Sequence, residues 1–173
     1  MSSTVLKSVL KPLAIAGSLI LALNTSSAFA VNVGDSAPNF KLPRLERSGD
    51  IQLSSFRGKV VYVDFWASWC VPCRKSFPWM NAMQAKHQQD GLVVLSINLD
   101  AQAELAEKFL QQTPANFAII YDAKGKLAKK FKLKGMPSSY LFNRQGKLIS
   151  AHSGFNGKKQ QIYQQEIEKA LAQ

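Results

Sequence analysis

The chain is 173 residues long and has no internal repeat or low-complexity segment, which sets an expectation of one domain with a sizeable core. Its 22 Lys and Arg against 11 Asp and Glu give a net charge of +11, a balance that admits anionic partners such as acidic proteins, lipid headgroups or nucleic acid. Its 2 cysteines exclude a disulfide-stapled scaffold, because a bridge across two intervening residues closes too small a loop to stabilise the fold much.

The first thirty residues read as a leader rather than as core. Lys7 and Lys11 precede the apolar run Leu13 to Leu23, and Ala28-Phe29-Ala30 supplies the small-x-small pattern of a signal-peptidase site. Residues 1–30 are therefore expected to be a signal peptide cleaved after Ala30, and 31–173 the mature domain. The alternative is an uncleaved membrane anchor, but the run is short for a bilayer span of about 20 residues. No cysteine sits at the cleavage site, which excludes a lipid anchor through that residue. Export in turn argues against nucleic acid as a partner.

Val31 to Gly58 reads as an N-terminal extension with extended structure around Pro38 to Pro43, a turn at Ser48-Gly49-Asp50 and a short strand at Ile51 to Leu53. Lys59 to Trp66 is nearly continuously apolar, as a strand buried on both faces should be. A helix is expected from Cys70 to about Gln89, with Cys73, Phe77, Met80, Gln84 and His87 on one side and a kink at Pro78. Gly91 ends it, and Leu92 to Leu99 forms a second buried strand. Asp100 is placed to cap the next helix, whose apolar face carries Leu105, Phe109 and Leu110.

Phe117 to Tyr121 forms a third strand and Lys126 to Lys132 a short helix. Six lysines fall between Lys124 and Lys134, alternating with Leu127, Phe131 and Leu133 as on a solvated amphipathic surface. Ser138 to Phe142 and Leu148 to His152 make a hairpin, and a last helix spans Gly157 to Ala172 with Tyr163, Ile167, Ala170 and Leu171 inward. Alternating strands and helices imply an α/β fold, and the terminal hairpin makes its sheet mixed. No long exposed apolar stripe demands an obligate dimer, so a monomer is expected.

The chemistry concentrates between Val63 and Cys73. Both cysteines lie at a strand-to-helix junction, where unpaired N–H groups and the positive end of the helix dipole favour a thiolate. Cys70, in the first turn, is the expected attacking nucleophile; Cys73, one turn deeper, is the resolving thiol. Asp64 interrupts the apolar strand leading into the pair. A buried carboxylate costs several kcal/mol unless paired or protonated, so it is a candidate acceptor for the Cys73 proton. Trp69 is expected to be exposed beside Cys70 as a contact surface, Val71 and Pro72 to tune the couple, and Trp79 to pack.

The run Val63-Asp64-Phe65-Trp66-Ala67-Ser68-Trp69-Cys70-Val71-Pro72-Cys73 closely resembles the thioredoxin junction, with Pro78 matching that family's helix-kinking proline. Met136-Pro137 matches its cis-proline, which implies that these two residues present backbone to a substrate chain. The leader, the Gly34-Asp35-x-Ala37-Pro38-x-Phe40 extension and a helix–strand insertion near Asp100 to Tyr121 resemble the exported TlpA/ResA-type proteins. The resemblance implies a thioredoxin-like three-layer fold, a central mixed sheet flanked by helices. It further implies a periplasmic thiol:disulfide oxidoreductase that reduces disulfide-containing exported proteins, such as apocytochrome c or copper-chaperone cysteines. A membrane thiol transporter would be its electron donor, and the redox-active disulfide Cys70–Cys73 its only redox group, with no other cofactor and no metal.

Three rivals stand beside this reading. A disulfide oxidase or isomerase shares fold and motif and differs only in potential. A peroxiredoxin shares the N-terminal pattern, but Phe65-Trp66-Ala67 replaces the proline and threonine context of a peroxidatic cysteine. A metal or copper-handling module would need Cys70, Cys73, His87 and His152 together, at spacings that fit no zinc finger.

Overall fold

The computed structural model describes residues 31–45 and 49–173; the expected leader lies outside them. The strand expected from the apolar run after Lys59 is β3 (Val60–Trp66), every residue of it buried. It is the centre of a five-stranded sheet ordered β5-β4-β3-β6-β7. Here β4 is Leu92–Asn98, β5 Ala118–Tyr121, β6 Ser138–Phe142 and β7 Leu148–Ser153. β4 and β5 run parallel to β3, whereas β6 and β7 are antiparallel, so the sheet is mixed as expected.

Three helices, α1 (Val71–His87), α2 (Ala103–Gln112) and α4 (Gly157–Leu171), cover one face of this sheet. Alternation along β3 turns Val60, Tyr62, Asp64 and Trp66 toward them and Val61, Val63 and Phe65 away. The opposite face is covered by α3 (Lys126–Lys130), by a two-stranded ribbon of β1 (Lys41–Pro43) and β2 (Asp50–Gln52), and by a 3₁₀ turn at Leu53–Phe56. That is the three-layer arrangement. The N-terminal extension is tied down at its start, where Gly34 N–H donates to the Leu148 carbonyl at 2.8 Å and Ala37 N–H to the Gly146 carbonyl at 2.9 Å.

Four local expectations are corrected. Leu53 belongs to the 3₁₀ turn rather than to a strand. α3 stops at Lys130 because Lys132 takes a left-handed φ of 50° that a helix does not accommodate. Leu105 is exposed on α2 and Ala106 takes the inward place beside Phe109 and Leu110. Asp100 does not cap α2; Gln102 occupies the cap position, and the Asp100 carboxylate is engaged elsewhere, as described below. The six lysines from Lys124 to Lys134 are all exposed, over the buried Leu127 and Phe131.

Candidate active site

Cys70 is the cap residue of α1, with extended backbone, and it is disulfide-bonded to Cys73. Its Sγ accepts the Cys73 N–H at 3.3 Å, so the sulfur occupies the place a capping side-chain oxygen would take. Pro72 sits in the first turn, where its fixed φ suits the helix and its missing N–H costs nothing. The two sulfurs are unequal. Cys70 keeps 5% of its surface exposed and Cys73 none, so only Cys70 meets the outside. Its neighbours Trp69 and Val71 are the exposed ones, at 67% and 61%. An apolar surface in that position fits a contact patch around the couple rather than core.

The loop before Cys70 is held by a carboxylate that sequence reasoning missed. Asp100 is buried, and its Oδ2 accepts the Ser68 N–H at 2.9 Å while Oδ1 accepts the Ser68 hydroxyl at 3.0 Å. Asn98 Nδ2 donates to the same carboxylate at 2.8 Å. Because charge-assisted bonds are about twice as strong as neutral ones, this cluster fixes the entry to the Cys-x-x-Cys turn from the end of β4. The signal was a polar Asn-x-Asp step at the end of an apolar strand, which local rules assign to helix capping.

The Met136–Pro137 peptide bond is cis. Ser138, the next residue, pairs with Phe65, so β6 begins beside the end of β3 that feeds the Cys-x-x-Cys turn. Met136 packs against the cluster containing Cys70, Cys73 and Trp66, which brings the two predicted halves of the site to one end of the sheet. The Pro137 carbonyl accepts the Gly154 N–H at 2.7 Å, and the Gly154 carbonyl accepts the Tyr163 hydroxyl at 2.8 Å. The proline loop is thereby anchored to α4.

Asp64 lies on the same face of β3 as Tyr62 and Trp66, the face covered by the helices, and is 2% exposed. Its Oδ2 meets no hydrogen-bond partner among the described residues. Burial holds its carboxyl well above the ordinary carboxylate range, since desolvation penalises the charged form. Trp79 packs edge-on against Tyr62 at 5.5 Å between ring centroids, as a core residue. The two histidines do not join the cysteines: His87 pairs with Asp90 at 2.9 Å and His152 with Glu166 at 2.6 Å. Among the described residues no group of three or more His, Cys, Asp or Glu is placed to hold a metal ion.

The model of the AhpC/TSA family matches residues 33–151, which takes in the extension, the Cys-x-x-Cys turn, the proline loop and most of the sheet. The chain belongs to the AhpC/TSA family. The thiol-disulfide oxidoreductase ResA of Bacillus thuringiensis subsp. konkukian (strain 97-27) is 32% identical to this chain over 130 residues, which are 75% of each chain. A crystal structure from Chlorobium tepidum, assigned as the thiol:disulfide interchange protein DsbE, is 48% identical with a TM-score of 0.79. It covers 82% of this chain and 99% of its own. A solution structure from Bacteroides thetaiotaomicron, assigned as a protein disulfide isomerase, is 27% identical with a TM-score of 0.75 and covers 83% of this chain and 92% of its own. This member of the family is a thioredoxin-like thiol:disulfide oxidoreductase.

Proposed function

We propose that the chain is an exported, periplasmic reductase of protein disulfides, with residues 1–30 as its cleaved signal peptide and 31–173 as its working domain. The observation that carries the reading is the asymmetry of the couple: Cys70 at the helix cap with the only exposed cysteine surface, Cys73 wholly buried behind it. In this reading the Cys70 thiolate attacks a client disulfide and forms a mixed disulfide, releasing one client sulfur. Asp64 takes the Cys73 proton, the Cys73 thiolate attacks Cys70 Sγ, and the second client sulfur leaves as the intramolecular disulfide forms. Electrons pass from the dithiol to the client, and a membrane thiol transporter restores the dithiol.

Trp69, Val71 and Pro72 on one side and Met136-Pro137 on the other would hold the client chain, with the exposed rings and methyls supplying apolar contact. The client class is exported proteins with paired cysteines, as in cytochrome c maturation or copper-site assembly. The domain works as a monomer, without a further cofactor.

The reading is tested by measuring the reduction potential and by trapping. A value of about −270 mV or lower is expected, whereas one near about −120 mV makes the protein an oxidant and reverses the direction of electron flow. In cells, Cys73→Ser is expected to accumulate a covalent mixed disulfide through Cys70 with an exported partner. Recovery of no such adduct would count against the exchange mechanism.

A further inference from the structure

One row of side chains crosses all five strands on the face that α1 and α4 cover. The register places Ile119, Ser96, Asp64, Ser139 and His152 side by side on β5, β4, β3, β6 and β7. On the antiparallel strands β3, β6 and β7, directly opposed residues have Cβ atoms about 4.5–5.5 Å apart, which puts Ser139 next to both Asp64 and His152. The rows on either side contain Tyr62 with Val94 and Leu141, and Trp66 with Asn98. Four polar residues in a line through a face otherwise packed with apolar and aromatic side chains are a costly arrangement, since buried polar groups lose hydration.

The row has a dry end and a wet end. Ser96 is fully buried and its hydroxyl has no hydrogen-bond partner among the described residues, and the same holds for Asp64 Oδ2. At the other end His152 Nε2 is 2.6 Å from Glu166 Oε2 on α4, with side-chain exposures of 17% and 34%. Ser139 stands between Asp64 and His152, paired in register with both, and shares a side-chain hydrogen bond with Tyr62. The His152 ring is stacked on Tyr163 at 4.1 Å, which fixes its plane at the sheet edge.

We propose that Ser139 and the His152–Glu166 pair form the outlet through which the buried Asp64 exchanges its proton with solvent. The inference rests on the reading of Asp64 as acceptor of the Cys73 proton. Burial disfavours the charged form of this carboxyl, and it must be ionised before it can accept the Cys73 proton, so it needs a route by which its own proton leaves. The side toward α1 is closed by Cys73, Phe77 and Met80, all without exposed surface. A hydroxyl such as Ser139 both donates and accepts, and an imidazole does so at neutral pH, so the row conducts a proton with no net change in its own members. The proton leaves Asp64, passes Ser139 to His152, and is released from the His152–Glu166 pair to water; Asp64 is left ionised and nothing is oxidised or reduced. The other titratable groups coupled to Asp64 are Tyr62 on its own strand and Tyr163 on α4, each of which also interacts with Glu166; the Cys70–Cys73 disulfide belongs to the cluster on the same face.

The test is a pH jump on the reduced protein, with the infrared carbonyl band of the protonated carboxyl followed in time; loss of the band in Asp64→Asn assigns it. His152→Ala and Ser139→Ala are each expected to slow its decay about tenfold or more, with the reduction potential unchanged. Added imidazole is expected to restore the rate in His152→Ala, which a packing role for the histidine would not produce, and to leave Ser139→Ala slow. Unchanged decay in both variants overturns the outlet. The reading of Asp64 is read out separately, by stopped flow with oxidised glutathione. Asp64→Asn slows closure of the Cys70–Cys73 disulfide if Asp64 serves Cys73. If closure is not slowed, that reading fails whatever the infrared result.

Discussion

The two faces of the central sheet are built from the same strands and do opposite things. Along β3, Val61, Val63 and Phe65 meet Leu95, Ile97, Ile120, Leu127 and Phe131 in a predominantly apolar cluster, in which the Tyr140 hydroxyl is satisfied by the Phe131 carbonyl. The residues between them, Tyr62, Asp64 and Trp66, share their face with both cysteines, Ser96, Asn98 and Ser139. Among the described residues, three of the six buried side-chain polar atoms without a partner, those of Asp64, Trp66 and Ser96, are on this second face of β3 and β4. The first face supplies stability and the second gives some of it up to hold titratable and reactive groups out of water. A period of two residues lets one strand serve both ends.

Substitutions on each face sharpen that contrast. The largest effect on stability is expected on the apolar face, where Phe65→Ala should cost about 3–5 kcal/mol in denaturant unfolding and leave the reduction potential of the surviving folded protein unchanged. A shifted potential would break the separation of the two faces. Asp64→Asn should do the reverse and stabilise. Because burial raises the Asp64 carboxyl, its contribution to stability is complete at low pH and is lost as pH rises through its folded-state value. The asparagine protein should therefore match the parent in acid and exceed it by about 1–3 kcal/mol on the alkaline side, as read from unfolding curves across pH. Asparagine destabilising at alkaline pH would show that the ionised Asp64 is well accommodated. The smallest effect belongs to Ser96→Ala, which removes a buried hydroxyl without a partner. It should change stability by under about 1 kcal/mol, toward greater stability, by the same measurement.

Much of the site was legible because its signals are local. The apolar run of β3, the Cys-x-x-Cys at the start of α1 and the mixed sheet all follow from patterns a few residues long, as does the exposure of Trp69. Asp64 stood out because a charge in a strand buried on both faces has no ordinary reason to be there. Asp100 shows where local reading stops. Its place before a helix predicts a cap, yet Ser68, thirty-two positions away along the chain, offers an N–H and a hydroxyl together and takes the carboxylate.

The chain alone, then, determines the order of elements, the identity of the redox pair and the burial of Asp64 in the strand that leads into it, since helix dipoles, side-chain periodicity and desolvation act within a segment. Only the tertiary structure decides that Ser96, Asp64, Ser139 and His152 form one row, or that Met136 packs against the cluster that holds the couple. Those neighbours come from strand register, which is set jointly by turns and by packing of both faces, and no short stretch of sequence contains it.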